Sequence, residues 1–554
     1  MAKRKGERKS DAAEQPDRVL GDDPLEGLDM EWLEREEGDL AIQVLGHDPF
    51  ESMGTDWVDF GREDEPAPEW AVEAESIERE FVLPEISPVQ TQPQPPSPAQ
   101  PPAHIVTPTV PASRISATFH FPADFRWGVA TAAHQVEGEN IHNDWWAWEQ
   151  EDGRIHEGHV SGLACNWWDN AEADFDRAAG MGLTGLRLSV EWSRVEPRPG
   201  VFDDSALARY GEMLRGLRER GIEPLVTLHH FSNPHWLVEQ GGWEAPETIP
   251  LFVRFVRRVV ESLGPYCDLW CTINEPNVYS FFGYLEGIFP PGKSDLGTAL
   301  RVIRHMLAGH AEAYRAIHAL QPHARVGLAH HMRVFDPVNP RSLLDRQAAR
   351  NTDRIFNQAI LTALTKGRWT LPLGFGLAWK LRSTLDWIGL NYYTRDRVAF
   401  DRSQPQMMFS RRQRTDGAEL LDGGYGEFYP RGMFRSIQRL AHLGLPIYVT
   451  ENGVPDDDDD QRPRYLLAHL HQMWHAIQMC YPVMGYYHWT LVDNFEWAEG
   501  WSLRFGLIEL DADTQTRSPR PSADLYAEVI RENAITPRVI DTFAPHLRPK
   551  LLPG

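Results

Sequence analysis

The sequence predicts an α/β fold, a (β/α)8 barrel that follows a disordered acidic extension and a proline-rich linker. Three observations predict this organisation. From about residue 117 onwards, eight short apolar segments alternate with amphipathic helical stretches. Ten prolines fall within residues 84–111. Residues 1–116 carry 10 basic and 26 acidic side chains, so they hold −16 of the net charge of −25, and the other 438 of the 554 residues hold only −9.

Residues 1–83 are predicted to be an acidic, disordered tail, because their large apolar residues are too scattered to build a core. The tail contains a repeat in which Asp-Pro-Leu-Glu begins at Asp23 and Asp-Pro-Phe-Glu begins at Asp48, 25 residues later. In each copy the Asp would cap a short helix, the Pro would be its first residue and the Glu would close a capping box. We interpret Asp23–Leu33 and Asp48–Val58 as helical motifs for the groove of a protein partner or for the protein's own barrel. A chance repeat within a disordered tail is the alternative.

Residues 84–116 are predicted to be a linker. Their proline-rich composition favours extended polyproline conformations and cannot form a packed core. The linker would separate the acidic tail from the barrel, which is predicted to occupy residues 117–554.

The barrel prediction rests on eight candidate strands, each a short run of mainly apolar residues that ends in polar ones. In chain order they are residues 125–132, 185–192, 223–231, 269–276, 324–331, 385–393, 446–453 and 483–491. The clearest helical stretches between them, with apolar residues near a 3.6-residue period, are 166–182, 204–221, 250–264 and 463–480. Because βαβ crossovers are right-handed, eight such units close into a barrel whose functional groups lie at the carboxyl ends of the strands.

Composition excludes several other classes of protein. The net charge of −25 disfavours nucleic acid as a general partner. The sequence has no apolar run long enough for a membrane span. A signal peptide would show an apolar stretch after its basic first residues, and the sequence has none there. The four cysteines form neither a CxxC pair nor a metal-ligand spacing, so we expect a reduced, cytoplasmic protein without structural zinc.

Two strand ends carry a carboxylate beside an asparagine. The fourth strand ends in Asn274-Glu275, and the seventh ends in Glu451-Asn452. Cleavage of a glycosidic bond needs two such carboxyl groups, one to protonate the leaving oxygen and one to meet the positive charge that develops at the anomeric carbon. A single glutamate at a strand end is more often a salt-bridge or capping residue, but two at the same rim favour catalysis.

Other strand ends supply the side chains that a neutral sugar requires. Carboxylates, amides and imidazoles bind hydroxyl groups, while aromatic rings cover the apolar face of the sugar. The residues of these types at the ends of the second, third, sixth and eighth strands are Arg187, His229, His230, Asn391, Tyr392, Tyr393, Trp489, Glu496 and Trp497. For any single tryptophan, packing in the core is the alternative role.

Four long segments of the barrel resemble motifs of glycoside hydrolase family 1, the β-glucosidase and β-galactosidase family. In order they are FRWGVATAAHQVEG at 125–138, TINEPN at 272–277, YVTENG at 448–453 and WTLVDNFEWAEGWSLRFGL at 489–507. The resemblance extends from about Thr118 to Asn533. It implies a retaining (β/α)8 glycosidase, in agreement with the barrel predicted from the strand pattern.

The resemblance also implies a role for individual residues. Glu275 would be the general acid/base and Glu451 the nucleophile, with Arg187 and Tyr393 in contact with the nucleophile. Gln135, His230, Asn274 and Glu496 would bind hydroxyls of the non-reducing sugar. Asn391 would lie beside Arg187 and Tyr393, Trp489 and Trp497 would form the aromatic platform, and Phe505 would line the inner wall. Asn391, Tyr393 and Phe505 are thus also expected among the residues that bind the substrate.

The implied reaction is hydrolysis of terminal β-D-glucosyl, and also β-D-galactosyl or β-D-fucosyl, residues by double displacement with net retention. Retention predicts carboxyl groups roughly 5 to 5.5 Å apart. Arg187 would keep Glu451 ionised, and Glu275 would need a less polar environment to keep its proton. No metal and no cofactor are expected.

Some features depart from the family or leave alternatives open. His134 and Phe231 stand where many members have Tyr and Trp, which bears on specificity. The five aspartates at 456–460 are expected to form a solvated turn, because like charges this dense repel one another. A calcium site is the alternative, disfavoured because the run lacks the spaced Gly and Glu of a calcium loop. A 6-phospho-β-glycosidase is disfavoured by the carboxylate of Glu496, and a myrosinase-like variant by the presence of Glu275. A transglycosidase, or a silent barrel whose function lies in the tail, remains an alternative.

Overall fold

The computed structural model describes residues 117–552, and within them eight parallel strands form a closed barrel. Each strand pairs with its neighbours in the sequence, and the last pairs with the first. All eight predicted strands are confirmed. Their bounds are β1 Arg126–Ala130, β2 Gly185–Ser189, β3 Glu223–Thr227, β4 Leu269–Asn274, β5 Arg325–His331, β6 Trp387–Asn391, β7 Ile447–Asn452 and β8 Val483–Trp489.

Eight helical crossovers surround the barrel. Polar side chains cap several of them: Asp203 accepts hydrogen bonds from the backbone at the start of the second crossover helix, and Asp295 and Ser342 do the same for the fourth and fifth. The four predicted helices are confirmed to within three residues at each end. The crossover helices are α1 Trp167–Gly180, α2 Asp204–Glu219, α3 Thr248–Leu263, α4 Leu296–Leu320, α5 Leu343–Asp353 with its continuation Ala359–Lys366, α6 Arg431–Ala441, α7 Arg462–Gln478 and α8 Pro521–Glu532.

Shorter elements complete the described residues. A three-stranded sheet, formed by Val334–Pro337, Arg395–Phe400 and Ser410–Gln413, follows strands β5 and β6. Two hairpins pair Arg368–Trp369 with Gly376–Leu377 and Ile508–Asp511 with Thr516–Pro519, while Phe119–His120 pairs with Ala534–Ile535. The short helices are Ala133–Val136, Asp144–Glu149, Trp192–Val195, His235–Glu239, Pro276–Tyr284, Pro537–Phe543 and Arg548–Leu551.

The carboxyl ends of the barrel strands are irregular in the places that matter for the site. The register shifts between Cys271 and Asn274 in β4, between Leu390 and Asn391 in β6, and between Val449 and Asn452 in β7. Such irregularities re-aim side chains at the rim of a barrel. Here they occur in β4, which Glu275 follows, in β7, which contains Glu451, and in β6, which lies beside β7 in the barrel.

The aspartate run at 456–460 differs from the predicted solvated turn. Asp456 is 1% exposed and Asp459 is 7% exposed. Asp459 pairs with Arg462, which is itself buried, and its Oδ2 accepts the backbone N–H of Ser522 at 2.7 Å. The prediction was wrong for these two residues because the buried Arg462 and backbone N–H groups offset their charge, from Gln461 and Arg462 for Asp456 and from Ser522 for Asp459.

None of the helices within residues 117–552 has the length and apolar character needed to cross a membrane. The predicted motifs Asp23–Leu33 and Asp48–Val58, like the linker at 84–116, lie outside the residues that the structure describes.

Candidate active site

The two predicted catalytic carboxylates are both buried at the carboxyl end of the barrel. Glu275 follows β4 and precedes the short helix Pro276–Tyr284, and Glu451 lies within β7. Their exposed fractions are 5% and 4%. Glu275 has a φ of 44°, in the left-handed region that non-glycine residues seldom adopt, and its N–H donates to the Ala329 carbonyl at 2.8 Å. Backbone strain of this kind is concentrated at functional sites.

Glu451 is held by two donors. Arg187 Nη1 donates to Glu451 Oε1, and the Tyr393 hydroxyl donates to Oε2 at 2.8 Å. Arg187 is completely buried on β2, and its Nε is fixed by Thr227 Oγ1 at 3.1 Å. The carboxylate therefore has one fixed orientation, with both oxygens engaged.

Glu275 is held by a different set of donors. Asn391 Nδ2 lies 2.7 Å and His331 Nδ1 lies 2.9 Å from the same oxygen, Glu275 Oε1. We did not predict His331, although it ends β5 and the rule that strand ends carry the functional groups would have selected it. The expected less polar environment of Glu275 is therefore wrong.

One buried network connects the two carboxylates. Arg187 Nη2 donates to Asn274 Oδ1 at 2.7 Å, and Asn391 Nδ2 lies 3.1 Å from the same oxygen. Asn274 Nδ2 in turn lies 2.9 Å from His230 Nε2. Each of these residues comes from a different strand end, so the barrel's closure is what assembles them.

The other predicted sugar-binding residues form a second group beside the network. Gln135 Nε2 lies 3.1 Å and Trp489 Nε1 lies 3.4 Å from Glu496 Oε2. The His230 ring lies 6.0 Å from those of both Trp489 and Trp497. Phe505 packs against Tyr393, with the ring centroids 6.3 Å apart. The structure thus brings the predicted site residues together at one end of the barrel.

The two residues that depart from the family pattern both contact Trp497. His134 stacks on its ring with an interplanar angle of 14° and a centroid distance of 6.0 Å. Phe231 lies 5.2 Å from it. They therefore help to position the ring of Trp497, which was predicted as a sugar platform. Neither is among the residues that donate hydrogen bonds to Glu275 or Glu451.

The charges of the two carboxylates are coupled. Burial raises the pKa of Glu451, and the charge of Glu275 adds to that effect while Arg187 and Tyr393 oppose it. Burial also acts to raise the pKa of Glu275, but a charged His331, the hydrogen bonds of His331 and Asn391, and Arg187 outweigh it and lower that pKa. The two carboxyls titrate as a coupled pair. Arg187 opposes the raised pKa of Glu451 but does not reverse it, so the expectation that Arg187 keeps Glu451 ionised is not borne out.

Glu496 is a third buried carboxyl group of the site whose pKa is shifted. Burial raises the pKa of its carboxyl from 4.5 to about 8, although hydrogen bonds from Trp489 and Gln135 oppose the shift. Because the folded-state pKa lies above the unfolded value, Glu496 costs no stability below pH 4.5 and progressively more as the pH rises through about 8.

We therefore expect Glu496→Gln to raise the melting temperature at about pH 8 by roughly 2 to 5 °C and to change it little at about pH 4.5. Glutamine keeps the size of the side chain but cannot ionise. Thermal unfolding followed by fluorescence across this pH range measures the difference, with the exposed Glu509→Gln as the control. A difference in melting temperature that is the same at every pH would contradict the assignment.

Comparisons with known proteins place the chain in a family. The chain matches the family described as Glycosyl hydrolase family 1 over residues 117–535. It is 31% identical over 504 residues to a beta-galactosidase of Pyrococcus woesei, an alignment that covers 76% of this chain and 98% of that protein. It is also 31% identical over 446 residues to beta-glucosidase A of Thermotoga maritima, covering 75% of this chain and 98% of the relative.

Solved structures show the same similarity. The chain superposes on a beta-glycosidase from Pyrococcus horikoshii with a TM-score of 0.72 and 34% identity, covering 77% of this chain and 98% of the other. A beta-glucosidase from Thermotoga maritima in complex with glucoimidazole gives a TM-score of 0.72 and 30% identity, with 75% of this chain and all of the other covered. With the family match over most of the barrel, these findings establish that the chain is a glycoside hydrolase and belongs to glycosyl hydrolase family 1.

Proposed function

We propose that the enzyme is a retaining, exo-acting β-glycosidase that hydrolyses terminal β-D-glucosyl residues, and also β-D-galactosyl or β-D-fucosyl residues, by double displacement. The observation that carries the proposal is the pair Glu275 and Glu451. Both are buried at the same barrel end, and each is oriented by its own donors, His331 and Asn391 for the first and Arg187 and Tyr393 for the second. A nucleophile and an acid/base each need such a fixed position.

In the first step, Glu451 would attack the anomeric carbon while Glu275 transfers its proton to the departing glycosidic oxygen. This step forms a glycosyl ester on Glu451 and neutralises its charge. With that charge gone, the proton affinity of Glu275 falls, and Glu275 can accept a proton from the water that attacks the ester. Two inversions at one carbon give net retention, and the step consumes only water.

The group around Glu496 would bind the non-reducing sugar. Gln135, Glu496 and His230 offer polar atoms, while Trp489 supplies an aromatic face. Relatives of this chain include proteins described as beta-glucosidase and as beta-galactosidase, which is why we propose both sugars. Where the Glu496 carboxyl is ionised, above about pH 8, it would repel a substrate phosphate at this place, which favours the unphosphorylated sugar.

Turnover of a panel of para-nitrophenyl glycosides tests this function. We expect hydrolysis of the β-D-glucoside and of the β-D-galactoside or β-D-fucoside, with no turnover of the α-D-glucoside or the 6-phospho-β-D-glucoside. Preference for the phosphorylated sugar would refute the proposed substrate, and the absence of all turnover would favour the silent scaffold. Adding methanol or a sugar as acceptor distinguishes the transglycosidase, since transfer products would then exceed free sugar.

Replacing Glu496 by Gln is expected to lower kcat/KM for the β-glucoside by roughly 10- to 100-fold, because hydrogen bonds from sugar hydroxyls to a charged carboxylate contribute about 1.5 to 3 kcal/mol. The measurement is steady-state kinetics at about pH 9, where the wild-type carboxyl is ionised. Glu509→Gln is again the matched control. A loss of less than about twofold would remove Glu496 from the proposed sugar site.

We further propose that residues 1–83 form a separate tail, joined by the linker at 84–116, and that Asp23–Leu33 and Asp48–Val58 bind a protein partner. The support is the repeated capping pattern in the sequence. Deleting residues 1–83 should abolish any partner recovered with the full chain while leaving glycoside turnover unchanged. We also propose a cytoplasmic location, in keeping with the three cysteines that are buried as free thiols, Cys165, Cys267 and Cys271.

A further inference from the structure

Three carboxylates converge on the surface beside the loop that follows β7. They belong to Asp422, Asp456 and Asp458, and each offers an oxygen within 4.8 Å of the others. Asp422 lies in a turn that precedes α6, whereas Asp456 and Asp458 belong to the aspartate run. Two chain segments far apart in sequence thus bring three negative charges to one point.

The charges of Asp422, Asp456 and Asp458 are only partly compensated among the described residues, because Arg462 acts on Asp422 and Asp456 without forming an ion pair with either. No lysine, arginine or histidine nitrogen within residues 117–552 forms an ion pair with Asp422, Asp456 or Asp458, whereas the neighbouring Asp459 is paired with Arg462. Carboxylates held this closely repel one another, and a cation bound between them would relieve that repulsion.

Two buried oxygens beside the cluster have no hydrogen-bond donor, and they are an observation independent of the charges. Asp456 is 1% exposed; its Oδ2 accepts the backbone N–H groups of Gln461 and Arg462 at 2.9 and 2.6 Å, but its Oδ1 has no partner. Gln461 Oε1 is also buried without a partner, while Gln461 Nε2 donates to Asp422 Oδ1 at 2.5 Å. Buried acceptors almost always find a partner, so the free Asp456 Oδ1 is available to bind a cation or a water molecule at the cluster.

We propose that Asp422, Asp456 and Asp458 form a calcium site. Calcium takes six to eight oxygen ligands in flexible geometry, and carboxylate and amide oxygens are its usual protein ligands, with water completing the set. Magnesium is less suitable because it requires near-ideal octahedral geometry and usually retains several waters. The sequence pattern hid this site because its ligands come from two segments and not from one loop.

The site would tie together two loops that reach the active site. Tyr425, three residues after Asp422, packs against Tyr393 with ring centroids 5.7 Å apart and against Phe505 at 5.2 Å. Asp456 lies five residues after Glu451. A cation here would fix the loop that carries Tyr425 to the loop that follows Glu451, and we expect it to act on stability rather than on chemistry.

Thermal unfolding and titration calorimetry of the full chain, stripped with EDTA and dialysed, test the site with calcium chloride as the probe. At a free calcium concentration about 100 times the Kd, the melting temperature should rise by roughly 2 to 5 °C, and calorimetry should give one site per chain. Asp458→Asn should weaken calcium binding at least about tenfold, since one of three charged ligands is lost. The exposed Asp457→Asn makes the same change of charge outside the cluster and should bind calcium as the wild type does.

The outcomes are distinct. A calcium-dependent rise that is lost in Asp458→Asn and kept in Asp457→Asn supports the site. The site would be overturned if calcium did not raise the melting temperature of the wild type, or if both variants lost this effect equally. It would also be overturned if sodium chloride at matched ionic strength raised the melting temperature as much. A rise with magnesium chloride alone would overturn the assignment to calcium. Asp458 is exposed, so its variant should fold, and none of these readouts depends on glycoside turnover.

Discussion

Glu451→Gln is expected to lower kcat for an aryl β-glucoside by about four orders of magnitude, equivalent to about 5.4 kcal/mol of transition-state stabilisation. Glutamine fills the same space but cannot attack the anomeric carbon, and it leaves the positive charge of Arg187 unpaired. Steady-state kinetics on purified protein measures the loss. Residual turnover within about tenfold of the wild type would exclude Glu451 as nucleophile.

Two controls separate chemistry from folding in this variant. Removing one partner of a buried ion pair destabilises a protein by roughly 3 to 5 kcal/mol, so circular dichroism must show that the variant is folded at the assay temperature. Glu509→Gln makes the same chemical change at an exposed position and should retain full activity. Glu451→Ala with added azide should give the α-glycosyl azide, because a single displacement from the opposite face inverts the anomeric carbon.

Glu275→Gln is expected to affect substrates according to their leaving group. For an alkyl β-glucoside or a disaccharide, kcat/KM should fall by about 100- to 10,000-fold, because the departing oxygen then leaves without a proton. For a dinitrophenyl β-glucoside, whose leaving group is already a stable anion, kcat/KM should change by less than about tenfold. Kinetics on both substrates measures the contrast, and an equal loss on both would contradict the acid role.

The role of Glu275 as general base in the second step gives a further prediction for Glu275→Gln. Hydrolysis of the glycosyl ester should become rate-limiting, so the dinitrophenyl substrate should show a burst of phenol release followed by slow turnover. Azide needs no general base and should restore turnover with formation of the β-glycosyl azide. An α-glycosyl azide from this variant would mean that the two carboxylates have exchanged roles.

Much of the barrel could be predicted from the sequence because each strand and helix is specified locally. A short apolar run such as Ile447–Asn452 can be recognised without knowing its neighbours, and the motif around Glu275 identifies its own strand end. The two carboxylates could be selected from position alone, since parallel strands of a barrel present their carboxyl ends on one face.

The features that were missed depend on contacts between distant segments. His331 contacts Glu275 because β4 and β5 pair with Asn274 opposite Ala329, a register that no local pattern gives. The burial of Asp459 likewise depends on where the start of α8 comes to lie, and Asp456 N–H donates to the distant Arg504 carbonyl at 2.8 Å. Charge density within the run predicted solvent exposure, whereas Arg462 and these distant contacts produced burial.

Covalent trapping tests the central claim most directly. A 2-deoxy-2-fluoro β-glucoside with an activated leaving group should react once per active site, because the fluorine slows both steps and the activated leaving group speeds only formation of the glycosyl ester. Mass spectrometry of the digested protein should then place one fluoroglucosyl group on Glu451. An adduct on Glu275 or any other residue, or time-dependent release of the leaving group without any adduct, would contradict the proposed double displacement at Glu451.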